Sequence, residues 1–161
     1  MKIKMAIVEL HRSESKLARQ LRSTAARHYV EPEIHHVALD LAEWSDDHVK
    51  QLADSAGRYN LFLPRGDRHS APPIVDAIQK RVSTAFGSQP QPGIVLLADL
   101  RRLHRTAAGV SLDWELLAQG AQAVRDTDLI DLAAQSHPQS LRQMRWANAM
   151  LKTLSPQILA S

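Results

Sequence analysis

No cysteine occurs among the 161 residues. Disulfides, thiolate metal sites and cysteine nucleophiles are therefore excluded. Phe, Trp and Tyr together make up 4% of the chain. So low a share argues against sandwiches and against stacking platforms for single-stranded nucleic acid, both of which depend on aromatic side chains. No apolar run approaches the roughly 20 residues that cross a bilayer, so no membrane association is expected. The start, Met1 to Glu9, has a basic flank, yet its apolar stretch runs only from Met5 to Val8. That is too short for a signal-peptide core, and cytoplasmic residence is the expectation. The phosphate-binding loop, the G-x-G-x-x-G fingerprint, H-E-x-x-H and G-x-S-x-G are also missing. No reaction announces itself.

What is present reads as one globular domain over 1–161: 44% apolar and 23% charged residues, in a length that supports a single core. The net charge of +3 matters less than its distribution. Lys2, Lys4, Arg12, Lys16, Arg19, Arg22 and Arg27 fall in the first 28 residues, against Glu9 and Glu14. Residues 31–54 carry Glu31, Glu33, Asp40, Glu43, Asp46, Asp47 and Asp54 against Lys50 alone. Two consecutive antiparallel helices of opposite sign select each other. This weakens a nucleic-acid reading, which needs basic charge left over on an exposed face.

Spacing of 3 and 4 predicts four helices. Helix one spans about 3–28, through Ile3, Ile7, Leu10, Glu14, Leu17, Leu21, Thr24 and His28. Pro32 then opens helix two, about 32–57, with Ile34, Val37, Leu41, Trp44, His48, Leu52 and Ser55 on one stripe. Helix three, about 93–125, carries Leu96, Leu100, Leu103, Ala107, Val110, Trp114, Leu117, Ala121 and Val124. Helix four, about 128–154, follows a cap at Asp126 or Thr127 and carries Ile130, Ala133, His137, Leu141, Met144, Asn148 and Leu151. A kink or break is expected near 134–138, because Pro138 removes a backbone hydrogen bond. The Pro- and Gly-rich residues 60–92 form a long central crossover with a short helix at Pro73–Phe86. With no strand-like alternation of comparable length, the chain is predicted to be an all-α four-helix bundle.

Several stripe positions are polar. Glu14 lies 17 residues before a turn centred near residue 31, and His48 lies 17 after it. Both are then about 25 Å from the turn and face each other inside the bundle. By the same reasoning His137 comes level with residue 116, beside Glu115. Two routes for the crossover remain open. A simple turn brings His104 and Asn148 to the level of Glu14. A connection running the length of the bundle, the preferred option, brings Gly109, Ser111 and Met144 there instead, with Gly109 leaving room for a ligand or water. Structural explanations stand beside the functional ones. A buried Glu–His pair often sets register, and His137 before Pro138 can satisfy carbonyls freed by a kink. Arg101, Arg102, Arg105, Arg142 and Arg145 read first as solvated faces and second as contacts for an acidic partner or a phosphate ligand.

Two helix pairs, a long middle connection, and Glu9, His11, Glu14, Glu33-Ile34-His35-His36, Glu43, His48, Asp113 and Glu115 around the interior resemble the ferritin-like four-helix bundles. In that family carboxylates and Glu-x-x-His motifs hold a pair of metal ions. This chain departs from the pattern in helix four, which contains no glutamate. The resemblance implies a reduced site: Glu14, His48, His104 and His137 as metal ligands, with His11 and Glu115 as flanking ligand-binding groups. Iron, manganese or zinc suits such donors. The alternative is a non-catalytic interaction module, forming a homo-oligomer or docking on a helical protein partner. Its motivation is the small-residue run from Ala118 to Ala123.

Overall fold

The computed structural model describes residues 2–66 and 91–161. These residues are all-helical: α1 (Ile3–Arg27), α2 (Pro32–Ala56), a 3-10 turn (Gly57–Tyr59), α3 (Pro92–Val124) and α4 (Thr127–Ala160). The expected short helix at 73–86 lies outside the described residues. No described helix is long and apolar enough to cross a membrane.

The stripe predicted for α1 is buried along its whole length, Glu14 and His28 included. The α3 stripe is buried from Leu96 to Ala121, with only Val124 exposed at its end. Two helices are rotated from the expected faces. In α2, Ala38, Ser45 and Ala56 take the innermost positions, while Val37 and Trp44 are half-buried flanks. Small side chains there let α2 lie close to its neighbours. In α4 the buried set is Leu129, Leu132, Ala133, Ser136, Ser140, Gln143 and Ala147. That is about one residue away from the predicted stripe, because three of the inward positions are polar.

Pro138 does not break α4, which also runs on past Pro156 to Ala160. Pro138 and Ala134 are both exposed. The carbonyl that loses its partner therefore faces water, and the helix continues.

Side-chain pairs define the directions. Glu14 meets His48 and Arg22 meets Asp46, so α1 and α2 are antiparallel. Ser13 meets Asp113 and Arg27 meets Asp99, so α1 and α3 are antiparallel too. Gln143 reaches Leu41 and Ser45, and Gln139 reaches His48, which sets α4 antiparallel to α2. Ser111–His137 and His104–Met144 link α3 to α4. It follows that α2 and α3 run parallel on a diagonal, and that the end of α2 and the start of α3 lie at opposite ends of the bundle. This is the second of the two predicted arrangements.

Chain reversals are built locally. Arg125 ends α3 in the left-handed region (φ 57°), and the Asp126 N–H reaches back to the Ala121 carbonyl. Asp126 is the N-cap of α4, accepting from the Leu129 N–H at 3.1 Å, and it also takes Arg58 and the Tyr59 hydroxyl from the 3-10 turn that follows α2. One aspartate thus ties together three elements at this end. At the other end α3 and α4, with 33 and 34 residues against 25 in α1 and α2, extend past the first hairpin. Ile34, Leu96 and Leu100 form a second apolar cluster there with Trp146, Met150, Leu151 and Leu154. Gly93 permits the close approach: a Cβ at that position would stand 2.9 Å from Ile158.

Candidate functional site

The middle of the bundle holds a buried polar layer. Glu14, 0% exposed, accepts through Oε1 from His48 Nδ1 and from the Trp114 indole N–H, both at 2.7 Å. Ser140 donates to the same oxygen at 3.4 Å. His48, 1% exposed, directs Nε2 at the amide oxygen of Gln139, 2.7 Å away, and its ring stands edge-on to Trp114. Gln139 is half-buried, so a chain of three hydrogen-bonded groups leads from the interior to the edge of the bundle. One helical turn along, the Gln143 amide donates to the Leu41 carbonyl and to Ser45.

These contacts determine the charge on the imidazole. Burial pulls the pKa of His48 down. The hydrogen bond and negative charge of Glu14, aided by Gln139 and Asp47, outweigh it and raise the value above the usual 6.5. With an acceptor at each ring nitrogen, the doubly protonated ring satisfies both. Because the folded pKa is raised, the stabilisation from His48 is complete below the unfolded value and is lost as pH rises through the folded one. The difference in unfolding free energy between wild type and His48→Gln is therefore expected to shrink from about pH 6.5 upward. Denaturant titrations across that range check it, and a constant difference would contradict the imidazolium assignment.

The structure brings together only part of the predicted set. Glu14 and His48 meet as expected. His104 instead turns its Nδ1 to the Met144 carbonyl at 3.2 Å, and His137 pairs through Nε2 with the Ser111 hydroxyl at 2.8 Å. His11 is buried against the segment after α2, with Nε2 2.7 Å from the Pro64 carbonyl. Glu115 is exposed, and the expected level match of His137 with residue 116 falls instead at Ser111. Gly109 lies on an outer groove between α1 and α3, not inside the bundle. Among the described residues no three His, Asp or Glu side chains converge as a metal site.

Trp114, read from its spacing as filling, is both filling and donor. Gln139, Ser140, Gln143 and Ser45 were missed because the stripe followed apolar residues. Their spacing is nevertheless helical: Ser136, Ser140, Gln143 and Ala147 form a 4,3,4 series, and a search for small and amide side chains in such a series would find them.

Within this layer two buried acceptors, Glu14 Oε2 and Gln143 Oε1, have no hydrogen-bond partner among the described residues. The layer as a whole can hold a proton on His48 and fix the rotation of four helices about their axes. An approach to the imidazole from outside requires Gln139 to move. Comparison with protein-family models, with curated proteins and with solved structures found no match for this chain.

Proposed function

We propose that this protein is a non-catalytic helical binding module, working from the cytoplasm as a homo-oligomer or on a helical protein partner. The Glu14–His48–Gln139 relay serves to set helix pairing and register. The observation that carries this reading is the state of His48, whose two ring nitrogens are already bonded within the chain. Leu112 and Leu116, one turn apart and both more than 60% exposed, supply an outward apolar face on α3. The run from Ala118 to Ala123 contributes less than its composition suggests, since Gly120 faces Ile3 of the same chain, where an added Cβ would stand 3.8 Å from that side chain.

A second reading keeps a metal ion inside a ferritin-like bundle. The parallel diagonal of α2 and α3 supports it at the level of architecture, and the unpartnered oxygens of Glu14 and Gln143 supply oxygen donors. One experiment separates the two readings: metal analysis of native protein beside Glu14→Ala and His48→Ala, together with melting curves in added iron, manganese or zinc. The structural reading expects no stoichiometric metal and no shift on addition. Stoichiometric metal in wild type that both variants lose would replace it with the second reading. For the binding role, sedimentation at micromolar concentration is expected to show self-association. A strictly monomeric profile, with no partner recovered on pull-down, would count against it.

A further inference from the structure

A groove of ≈ 400 Å³ runs along the outside of the bundle between α1 and α3. Lys16, Arg101, Arg102 and Arg105 line it, with Gln20 and Thr106 between them, and no carboxylate belongs to the lining. Lys16, Arg101 and Arg105 have no ion-pair partner among the described residues. Arg102 lies 3.5 Å from Asp99, but that carboxylate is 3% exposed and already bonded to Arg27 and His28. Like charges one turn apart, as at Arg101 and Arg105, oppose helix formation by a few tenths of a kcal/mol. Nothing in the packing between α1 and α3 requires them, because the buried contacts there come from the apolar stripes, from Glu14 with Trp114 and from Asp99 with Arg27 and His28. Four cations focused in one concave surface are matched by a compact anion.

The surroundings limit what that anion is. Beyond Arg105 and Thr106 the groove continues past Gly109 to Asp113, whose carboxylate ends the positive stretch. A polynucleotide needs a longer basic track, and it gains from aromatic side chains on which bases stack. No aromatic side chain lines this groove. Arg101 and Arg105 stand about 6 Å apart along the helix axis, and planar guanidinium forks match phosphate oxygens in pairs.

We propose that the α1–α3 groove binds the linked phosphates of a small ligand, a diphosphate or triphosphate group held by Arg101, Arg105 and Lys16. The site is separate from the interior layer and stands whether or not Glu14 and His48 hold a metal.

Calorimetric titration of the full chain tests it, with pyrophosphate and tripolyphosphate as probes at constant ionic strength. Saturable one-to-one binding is expected, weakened about tenfold or more in Arg101→Ala and in Arg105→Ala. Arg145→Ala, outside the groove, is expected to bind as wild type does. Circular dichroism checks that each variant is folded, and Lys16→Gln repeats the test on the other helix. A nucleoside triphosphate that binds with the affinity of free tripolyphosphate supports a site for the phosphates alone; tighter binding supports the same site with a nucleotide as the source. Absence of binding at millimolar probe, or unchanged binding in both arginine variants, would overturn the proposal. So would retention of a single-stranded oligonucleotide that tripolyphosphate does not displace, which would make this face a nucleic-acid surface instead.

Discussion

Glu14→Ala is expected to lower the unfolding free energy by about 3–5 kcal/mol, the range found when one partner of a buried charged pair is removed. The loss has several sources that act together. His48 Nδ1 and the Trp114 indole N–H, both buried, lose their acceptor, and Ser140 loses a weaker one. An uncompensated imidazolium is costly in a dry interior, so His48 is expected to give up its Nδ1 proton and to keep the Nε2–H that it donates to Gln139. Glu14→Gln is expected to lose less, since an amide oxygen still accepts from Trp114. The double variant Glu14→Ala with His48→Ala is expected to cost less than the sum of the two single changes, because the second removes the group that the first left unpaired. Urea denaturation of the four proteins measures the coupling. Additive losses, or a loss below about 1 kcal/mol for Glu14→Ala, would mean that the pair carries little of the stability.

Asp99→Ala is expected to have the next largest effect, a loss of about 3 kcal/mol, at the lower end of the same range because Arg27 reaches solvent. Asp99 is 3% exposed on α3, and it accepts from Arg27 at 2.7 and 2.8 Å and from His28 at 2.8 Å. It joins the C-terminal end of α1 to the diverging start of α3, where positive groups also suit the negative end of the α1 dipole. Burial pushes the Asp99 carboxyl up, and the His28 hydrogen bond and Arg27 charge more than reverse this, so its pKa lies below the usual 3.8. A lowered folded value contributes stability above the unfolded pKa that is lost as pH falls through the folded one. Acid titration of wild type should therefore show a decline below about pH 4 that Asp99→Asn lacks. Parallel acid profiles for the two proteins would remove Asp99 from the account of acid unfolding.

Legibility in the sequence varied with the kind of contact. The meeting of Glu14 and His48 followed from arithmetic, since a short turn at Pro32 holds two helices at equal heights on either side of it. Helix ends were legible for the same local reason: Pro32 opens α2, Asp126 caps α4, and the observed starts and stops of α1, α2 and α3 lie within a residue of those expected. The inward face of α4 was not legible. Ser140 and Gln143 are stable inside only because α1 and α2 offer Glu14, Ser45 and the Leu41 carbonyl, groups about 100 residues away. His137 had the spacing of an interior ligand, but rotation of α4 left it at the α3–α4 seam, where His104, beside the α3 stripe, also lies. Asp99, adjacent to Leu100 in the clearest apolar stripe, gave no local sign of burial, because its partners Arg27 and His28 come from the far end of α1.

Taken alone, the order of residues determined the all-α class, the boundaries of α1, α2 and α3 and the heights of residues within the first hairpin, because hydrogen bonding inside a helix and the reach of a short turn are local; the end of α4 lay beyond the expected one. Tertiary structure decided which helices lie on the diagonal, how far α2 and α4 rotate about their axes, and which partner each buried polar group takes. Those choices depend on fitting side chains from segments distant in the chain, where a single rotation must satisfy apolar packing and buried hydrogen bonds at once.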